Sequence, residues 1–269
     1  MCLRKPFNQL FAHETNIDAL LEAHRVRPGL APTAFLFHCS RCGSTLYSRL
    51  AAALPDAIAL SEPPPIDDVL GVAAPETDRI VWLRALLGVL GRPLRSGDRH
   101  LFVKFDAWHI GYLELVQRAF PGVPCLFLYR EPADVLASQL RMPGRHMVPG
   151  VLDPAITGID LATLLTLTRR DQCARLLESL LAFGVAHAEA GRVALVNYSE
   201  LPAAAVNQLL EWCGLSGADD VRRALEDVAR FDAKTPSLPF SPGSPADETT
   251  PDRLADIYER LETFRKARL

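Results

Sequence analysis

The stretch His38-Cys39-Ser40-Arg41-Cys42-Gly43-Ser44-Thr45 has the residue types and spacing of a loop that holds an anion. It lies between an apolar strand-like run, Ala34 to His38, and an apolar-periodic stretch from Thr45 through Leu50 and Leu54. Strand, loop and helix in that order turn backbone N–H groups and a helix N-terminus toward a ligand. The spacing matches the phosphate-binding pattern G-x-x-x-x-G-K-[ST] at Gly43 and Thr45, but His38 replaces the first glycine and Ser44 the lysine. A kinase or ATPase needs that lysine on the β- and γ-phosphates and a metal on the hydroxyl. Hydroxyls and N–H groups alone suit a less charged 5′ group, and Arg41 restores one cation from inside the loop. The plainer alternative is a strand-to-helix turn whose Ser and Thr only cap the helix.

A second constellation is Tyr129-Arg130-Glu131-Pro132-Ala133-Asp134-Val135-Leu136-Ala137-Ser138. An arginine at the end of a central strand presents a planar fork toward the crevice at the carboxyl edge of a sheet, and Ser138 lies about two helical turns further on. Together they could grip a phosphate set apart from the first loop. Taken singly, Arg130 could be a surface ion-pair partner and Ser138 a helix-packing serine.

With these motifs the chain resembles the sulfotransferase family, which uses 3′-phosphoadenosine 5′-phosphosulfate (PAPS). Ser40-Arg41-Cys42-Gly43-Ser44-Thr45 is similar to that family's 5′-phosphosulfate loop, close to the R-S-G-S-[ST] form of the carbohydrate-type members. Arg130 to Ser138 is similar to the 3′-phosphate motif R-[DN]-P-x-D-x-x-x-S, with Glu131 in place of Asp or Asn, and Asn197-Tyr198-Ser199-Glu200-Leu201 looks like the later Y-E-D-L segment. The resemblance covers about residues 33 to 215. It implies a nucleotide-kinase-like α/β fold with a five-stranded parallel sheet in the order 2-3-1-4-5. It also implies PAPS, or its product adenosine 3′,5′-bisphosphate, as the bound nucleotide, no metal requirement, and Tyr198 among the cofactor-binding residues.

Sulfuryl transfer needs donors on the leaving phosphate and sulfuryl oxygens, an in-line acceptor and a base for the acceptor's proton. Arg41, Ser44, Thr45 and the loop N–H groups supply the donors. Three residues compete for the base. Glu62 follows the second strand in a Glu-Pro setting similar to that of the base in carbohydrate-type sulfotransferases; its bland alternative is a surface carboxylate pinned by a proline turn. Asp106 and His109 follow the third strand, where cytosolic sulfotransferases carry a catalytic histidine. Asp106 also reads as a helix N-cap, and His109 falls in the first turn, where the helix dipole favours neutral imidazole. Lys104, in a run otherwise apolar, must snorkel to solvent or meet an anion, and near the carboxyl edge it could reach the transferring group. Lys234 opens a Pro-rich segment that could close over the nucleotide or be a solvated linker. Arg141, Arg145 and His146 border the acceptor side of the crevice.

The elements that must position these groups alternate strand and helix, which implies parallel strands with right-handed crossovers. Strands are expected at 34–38, 57–60, 101–105, 125–129 and 193–197. Helices are expected at 16–24, 45–54, 80–90, 106–119, 132–140, 161–189 and 202–213, with Gly214 as the C-cap glycine. An amphipathic closing helix carries Leu254, Ile257, Leu261 and Phe264. The three prolines after Glu62 forbid both helix and ladder pairing, and 142–160 reads as a long loop. No linker separates two folding units, so residues 1–269 are expected to form one domain, with the Pro-rich loop and last helix at 231–269.

Composition sets the outer bounds. The 269 residues carry 29 Lys and Arg against 32 Asp and Glu, a net charge of −3, with 49% hydrophobic residues. That is ample for a packed core, and the absence of a basic block disfavours nucleic acid as a partner. No membrane span or export signal is read, so the expected compartment is the cytoplasm. Cys39 and Cys42 form a C-x-x-C without a second pair to complete a zinc site, and the six cysteines are expected to be reduced. The acceptor is expected to be a small molecule or glycan bearing a hydroxyl or amine. A small-molecule kinase and a non-catalytic nucleotide-binding protein are the competing functions.

Overall fold

The computed structural model describes residues 16–235, 237–239 and 249–267. Five parallel strands form one sheet: β1 Ala34–His38, β2 Ala57–Ser61, β3 His100–Lys104, β4 Cys125–Tyr129 and β5 Ala194–Asn197. Their order is β2-β3-β1-β4-β5, as expected. Every residue of β1 and β4 is buried, which is why both read as unbroken apolar runs: a strand covered by helices on both faces has no polar side to show. Phe37 stacks on Phe105 with ring centroids 4.6 Å apart.

The helices are α1 Ile17–Val26, α2 Ser44–Ala53, α3 Pro64–Gly71, α4 Glu76–Leu90, α5 Leu113–Ala119, α6 Pro132–Arg141, α7 Pro154–Thr157, α8 Leu161–Thr166, α9 Arg169–Glu189, α10 Ala203–Trp212, α11 Asp219–Ala229 and α12 Asp252–Lys266. They flank the sheet in two groups: α2 packs with α10 and α11, while α9 packs with α6 and α12, and α4 with α1, α3 and α5. No helix among the described residues is long and apolar enough to cross a membrane.

Three departures from the sequence expectation have local causes. The prolines after Glu62 start a helix instead of forbidding one, because proline at the first helical positions lacks only an N–H that would have no partner there. The expected helix over 161–189 is two helices: Leu167 is extended, and the Thr168 hydroxyl accepts the Asp171 N–H to cap a new start. The helix expected from Asp106 opens as a 3₁₀ turn, Ala107–Tyr112, before α5. Within 142–160 the chain forms a short 3₁₀ turn at Arg145–Met147 and the four-residue α7.

Helix α9 crosses β4 closely at Gly184, where a Cβ would come within 2.3 Å of the Phe127 ring. Alanine in an exposed helix is favoured over glycine by about 0.5–1 kcal/mol, but here overpacking reverses the sign. Gly184→Ala is expected to lower stability by about 1–3 kcal/mol, read as a drop in thermal midpoint; a raised midpoint would contradict the close crossing.

Candidate active site

The carboxyl ends of β1, β2 and β3 bring three charged or polar side chains together. Lys104 ends β3 in register with Leu36 and Ser61, and its ammonium is almost fully buried, 3.1 Å from Glu62 Oε1. Glu62 lies one residue beyond β2. Its N–H donates to the Lys104 carbonyl at 2.8 Å, extending the ladder, and its φ of 51° then turns the chain toward α3. His38, at the end of β1, donates from Nε2 to the same Glu62 Oε1 at 3.2 Å and accepts the Ser40 N–H on Nδ1 at 3.0 Å. Because Nδ1 is an acceptor, the ring proton resides on Nε2. Burial works to raise the Glu62 carboxyl, but the His38 ring and the Lys104 ammonium outweigh it and hold it down to about 2. Oε2 has no hydrogen-bond partner among the described residues, and the Glu62 side chain is 38% exposed.

The loop from Ser40 to Gly43 is left-handed at three positions, with φ of 69° at Ser40, 53° at Arg41 and 88° at Gly43. For residues with a Cβ this costs about 1–2 kcal/mol each, and such strain concentrates where backbone groups are aimed at a ligand. Gly43 is the N-cap of α2. Its φ favours glycine, and a Cβ would lie 2.5 Å from Leu201 and 3.0 Å from the Tyr198 ring. The N–H groups of Ser44 and Thr45 begin α2 without an acceptor among the described residues, so they are open to an anion. Ser44 is buried and Thr45 half-buried. Cys42 points inward, its Sγ donating to the Leu128 carbonyl at 3.2 Å. Arg41 reaches the Met142 carbonyl.

Arg130 leaves the end of β4 half-buried. Its Nε and Nη2 lie 3.0 and 2.8 Å from Asp134 Oδ2 one helical turn on, and its guanidinium lies over the Tyr198 ring at 4.2 Å. Tyr198 thereby lies close to both Arg130 and Gly43 of the first loop. Ser138 is half-buried on α6, its hydroxyl without a hydrogen bond among the described residues.

Lys234 sits in a loop tied back by Asp232, whose carboxylate accepts the N–H groups of Lys234 and Thr235 at 2.9 and 2.7 Å and whose carbonyl accepts Arg49 of α2 at 2.8 Å. The Lys234 ammonium is held below its ordinary value, by partial desolvation first and then by the positive charges of Arg41 and Lys104, with Asp232 opposing.

The rival constellation is turned elsewhere. His109 is buried; its Nδ1 accepts the Asp106 N–H at 3.2 Å, and Nε2 donates to Asp67 Oδ1 at 3.0 Å, so neither nitrogen is left for a substrate. Asp106 is half-buried. Its carboxyl is raised by burial first and then by Glu62 and Asp67, with His109 and His38 acting the other way.

Asp67 and Gln139 of this crevice escaped the sequence reading, whereas Arg141, Arg145 and His146 were expected beside it. Asp67 of α3 takes the Trp108 indole N–H at 2.6 Å as well as His109, and Arg145 lies 3.5 Å from it while covering Trp108. Gln139, fully buried, donates to the Ser40 hydroxyl at 3.1 Å and accepts the Gly144 N–H at 2.8 Å. His146 packs on Trp108 with centroids 5.7 Å apart, and burial, reinforced by His38 and Arg41, takes it down to about 4. Arg141 is exposed. His38 was visible only as a missing glycine.

No family model matches the chain, and no curated protein matches it in sequence. Among solved structures, the sulfotransferase domain from the curacin biosynthetic pathway matches with a TM-score of 0.55 at 14% identity, covering 87% of this chain and 98% of that domain. The fold is that of a sulfotransferase domain. The sulfotransferase domain from the Synechococcus PCC 7002 olefin synthase matches with a TM-score of 0.48 at 15% identity, covering 88% of this chain and 96% of that one. On this sulfotransferase fold, the two loops described above occupy the carboxyl ends of the adjacent strands β1 and β4, where ligands of open α/β sheets bind.

The Glu62 pairing has a pH signature. A carboxyl depressed on folding contributes stability above its unfolded value, about 4.3, and loses it as pH falls through the folded value. Glu62→Gln should therefore melt below the wild type at pH 7, with the gap closing as pH drops below about 5. A gap that widens on acidification would contradict the ion pair.

Proposed function

We propose that this protein is a sulfotransferase that moves a sulfuryl group from PAPS to a hydroxyl or amine of a small molecule or glycan. The observation that carries the proposal is the placing of two loops at the carboxyl ends of the adjacent strands β1 and β4, the first with a left-handed backbone and Arg41, the second with Arg130 forked beside Asp134 and lying over the Tyr198 ring, which is also close to Gly43. Two such sites suit a nucleotide with phosphates on both its 5′ and 3′ positions, and the sulfotransferase fold supports that match. Ser44, where a kinase carries lysine, fits a 5′ group with less negative charge than a triphosphate.

When bound, PAPS supplies a sulfuryl group on a phosphate leaving group. Ser40, Arg41, Cys42, Gly43, Ser44 and Thr45 form the loop around the 5′ group, with the backbone N–H groups and Arg41 as donors. Arg130 and Ser138 hold the 3′-phosphate, and Tyr198 braces Arg130. Lys234 closes the open side. Lys104 is the cation nearest the proton acceptor and donates to oxygens of the transferring group. Glu62 takes the acceptor's proton on Oε2. It is ionised throughout the working pH range, and Lys104, when turned toward an incoming anion, stops lowering its basicity. Asp106, raised and close to Glu62, is the second carboxylate facing this crevice, whereas His109 orients Asp67.

Adenosine 3′,5′-bisphosphate should bind tightly with or without magnesium in calorimetry, and more tightly than ADP. Preference for magnesium-ADP would favour a kinase and sink the proposal. Arg130→Ala should reduce the preference for the 3′-phosphorylated nucleotide by about tenfold to a hundredfold, the worth of a charge-assisted contact. An unchanged preference would remove Arg130 from the site.

A further inference from the structure

His38 occupies a position where a phosphate loop ordinarily has glycine, yet it is 3% exposed and both its ring nitrogens are engaged. Nδ1 accepts the N–H of Ser40, the first left-handed residue of the loop. Nε2 donates to Glu62 Oε1 across the gap between β1 and β2, which are not neighbours in the sheet because β3 lies between them. Lys104, on that intervening strand, donates to the same oxygen.

We propose that His38 is a positioning residue that couples the anion loop to the proton-accepting carboxylate, one nitrogen holding the loop at Ser40 and the other holding Glu62. The inference rests on the reading of Glu62 as proton acceptor. Its physical content is a division of labour between the two donors on Oε1. Lys104 carries a full charge that an incoming anion competes for, so the Lys104 contact weakens as the site fills. His38 is buried and fixed by Ser40, so its hydrogen bond stays. Glu62 then keeps its place, with Oε2 toward the acceptor, at the moment the Lys104 charge is drawn away. The same ring transmits loop position: a shift of Ser40 moves the imidazole, and the imidazole moves the carboxylate.

The two nitrogens can be tested separately. In His38→Asn the amide oxygen replaces Nδ1 and keeps Ser40 bonded, but nothing reaches Glu62. In His38→Gln the amide nitrogen replaces Nε2 and reaches Glu62, but Ser40 loses its acceptor. With adenosine 3′,5′-bisphosphate as binding probe and PAPS turnover to water as activity probe, the Asn variant should bind within about threefold of wild type while turnover falls about tenfold to a hundredfold. The Gln variant should lose binding and retain more of the turnover at saturation. Equal effects of both variants on both readouts would overturn the proposal. A third measurement needs neither variant nor activity. The ¹⁵N spectrum of the histidine-labelled wild-type chain should show His38 with its proton on Nε2 and that signal displaced by Glu62→Gln; a proton on Nδ1, or an Nε2 signal indifferent to Glu62→Gln, would overturn the coupling. Failure of the sulfotransferase reading would show differently, as no bisphosphate binding by the wild-type chain, and the histidine spectrum does not depend on it.

Discussion

An ammonium buried at the end of an interior strand is tolerated only beside a counter-charge, and the Lys104–Glu62 pair is the contact around which this end of the sheet is arranged. Lys104 is placed by the β1–β3–β2 ladder and cannot retreat to solvent. Glu62 reaches it because the ladder runs one residue past β2 and the chain then turns through a left-handed backbone, which the following prolines convert into the start of α3. That helix carries Asp67, which fixes Trp108 and His109. The ion pair, the turn and the helix thus depend on one another, and the wall of the crevice on all three.

Charge is distributed unevenly over the molecule. Its net charge is −3, yet Lys234 feels the positive charges of both Arg41 and Lys104, with Glu62 paired to Lys104 and Asp232 bonded to the Lys234 backbone N–H. Like charges drawn together without equal neutralisation raise the free energy of the empty site and lower it when an anion enters. The left-handed backbone at Ser40 and Arg41 works in the same sense. Both costs are met by the packing of the aromatic core beneath, where Phe35, Phe37, Phe105 and Phe127 are buried.

The sheet was readable from sequence because β1 and β4 are covered on both faces and so carry unmixed apolar runs, and strand ends follow wherever Gly, Pro or charge resumes. Arg41, Lys104 and Arg130 were readable for the same reason: a cation at the end of such a run has few places to go. What could not be read was contact between distant segments. Asp67 sits in a run that looked like proline-rich coil, and its partners Trp108 and His109 lie about forty residues on. Gln139, next to Ser138, resembles any helical glutamine until its burial is known. His38 drew notice only for the glycine it replaces, because its second partner, Glu62, is 24 residues away on a strand that does not pair with β1. The break at Thr168 did leave a mark, the polar run from Thr168 to Gln172, which the reading of one long helix passed over.

The central claim is that two anion sites, one at the β1 loop and one at Arg130, lie on a single crevice and hold one nucleotide at both ends. Titrating the protein with adenosine 3′,5′-bisphosphate, adenosine 5′-monophosphate and adenosine 3′-monophosphate addresses it directly. The account predicts that each monophosphate binds and that the bisphosphate binds tighter than either by about tenfold or more, the equivalent of about 1.4 kcal/mol. A bisphosphate no tighter than the better monophosphate would contradict it.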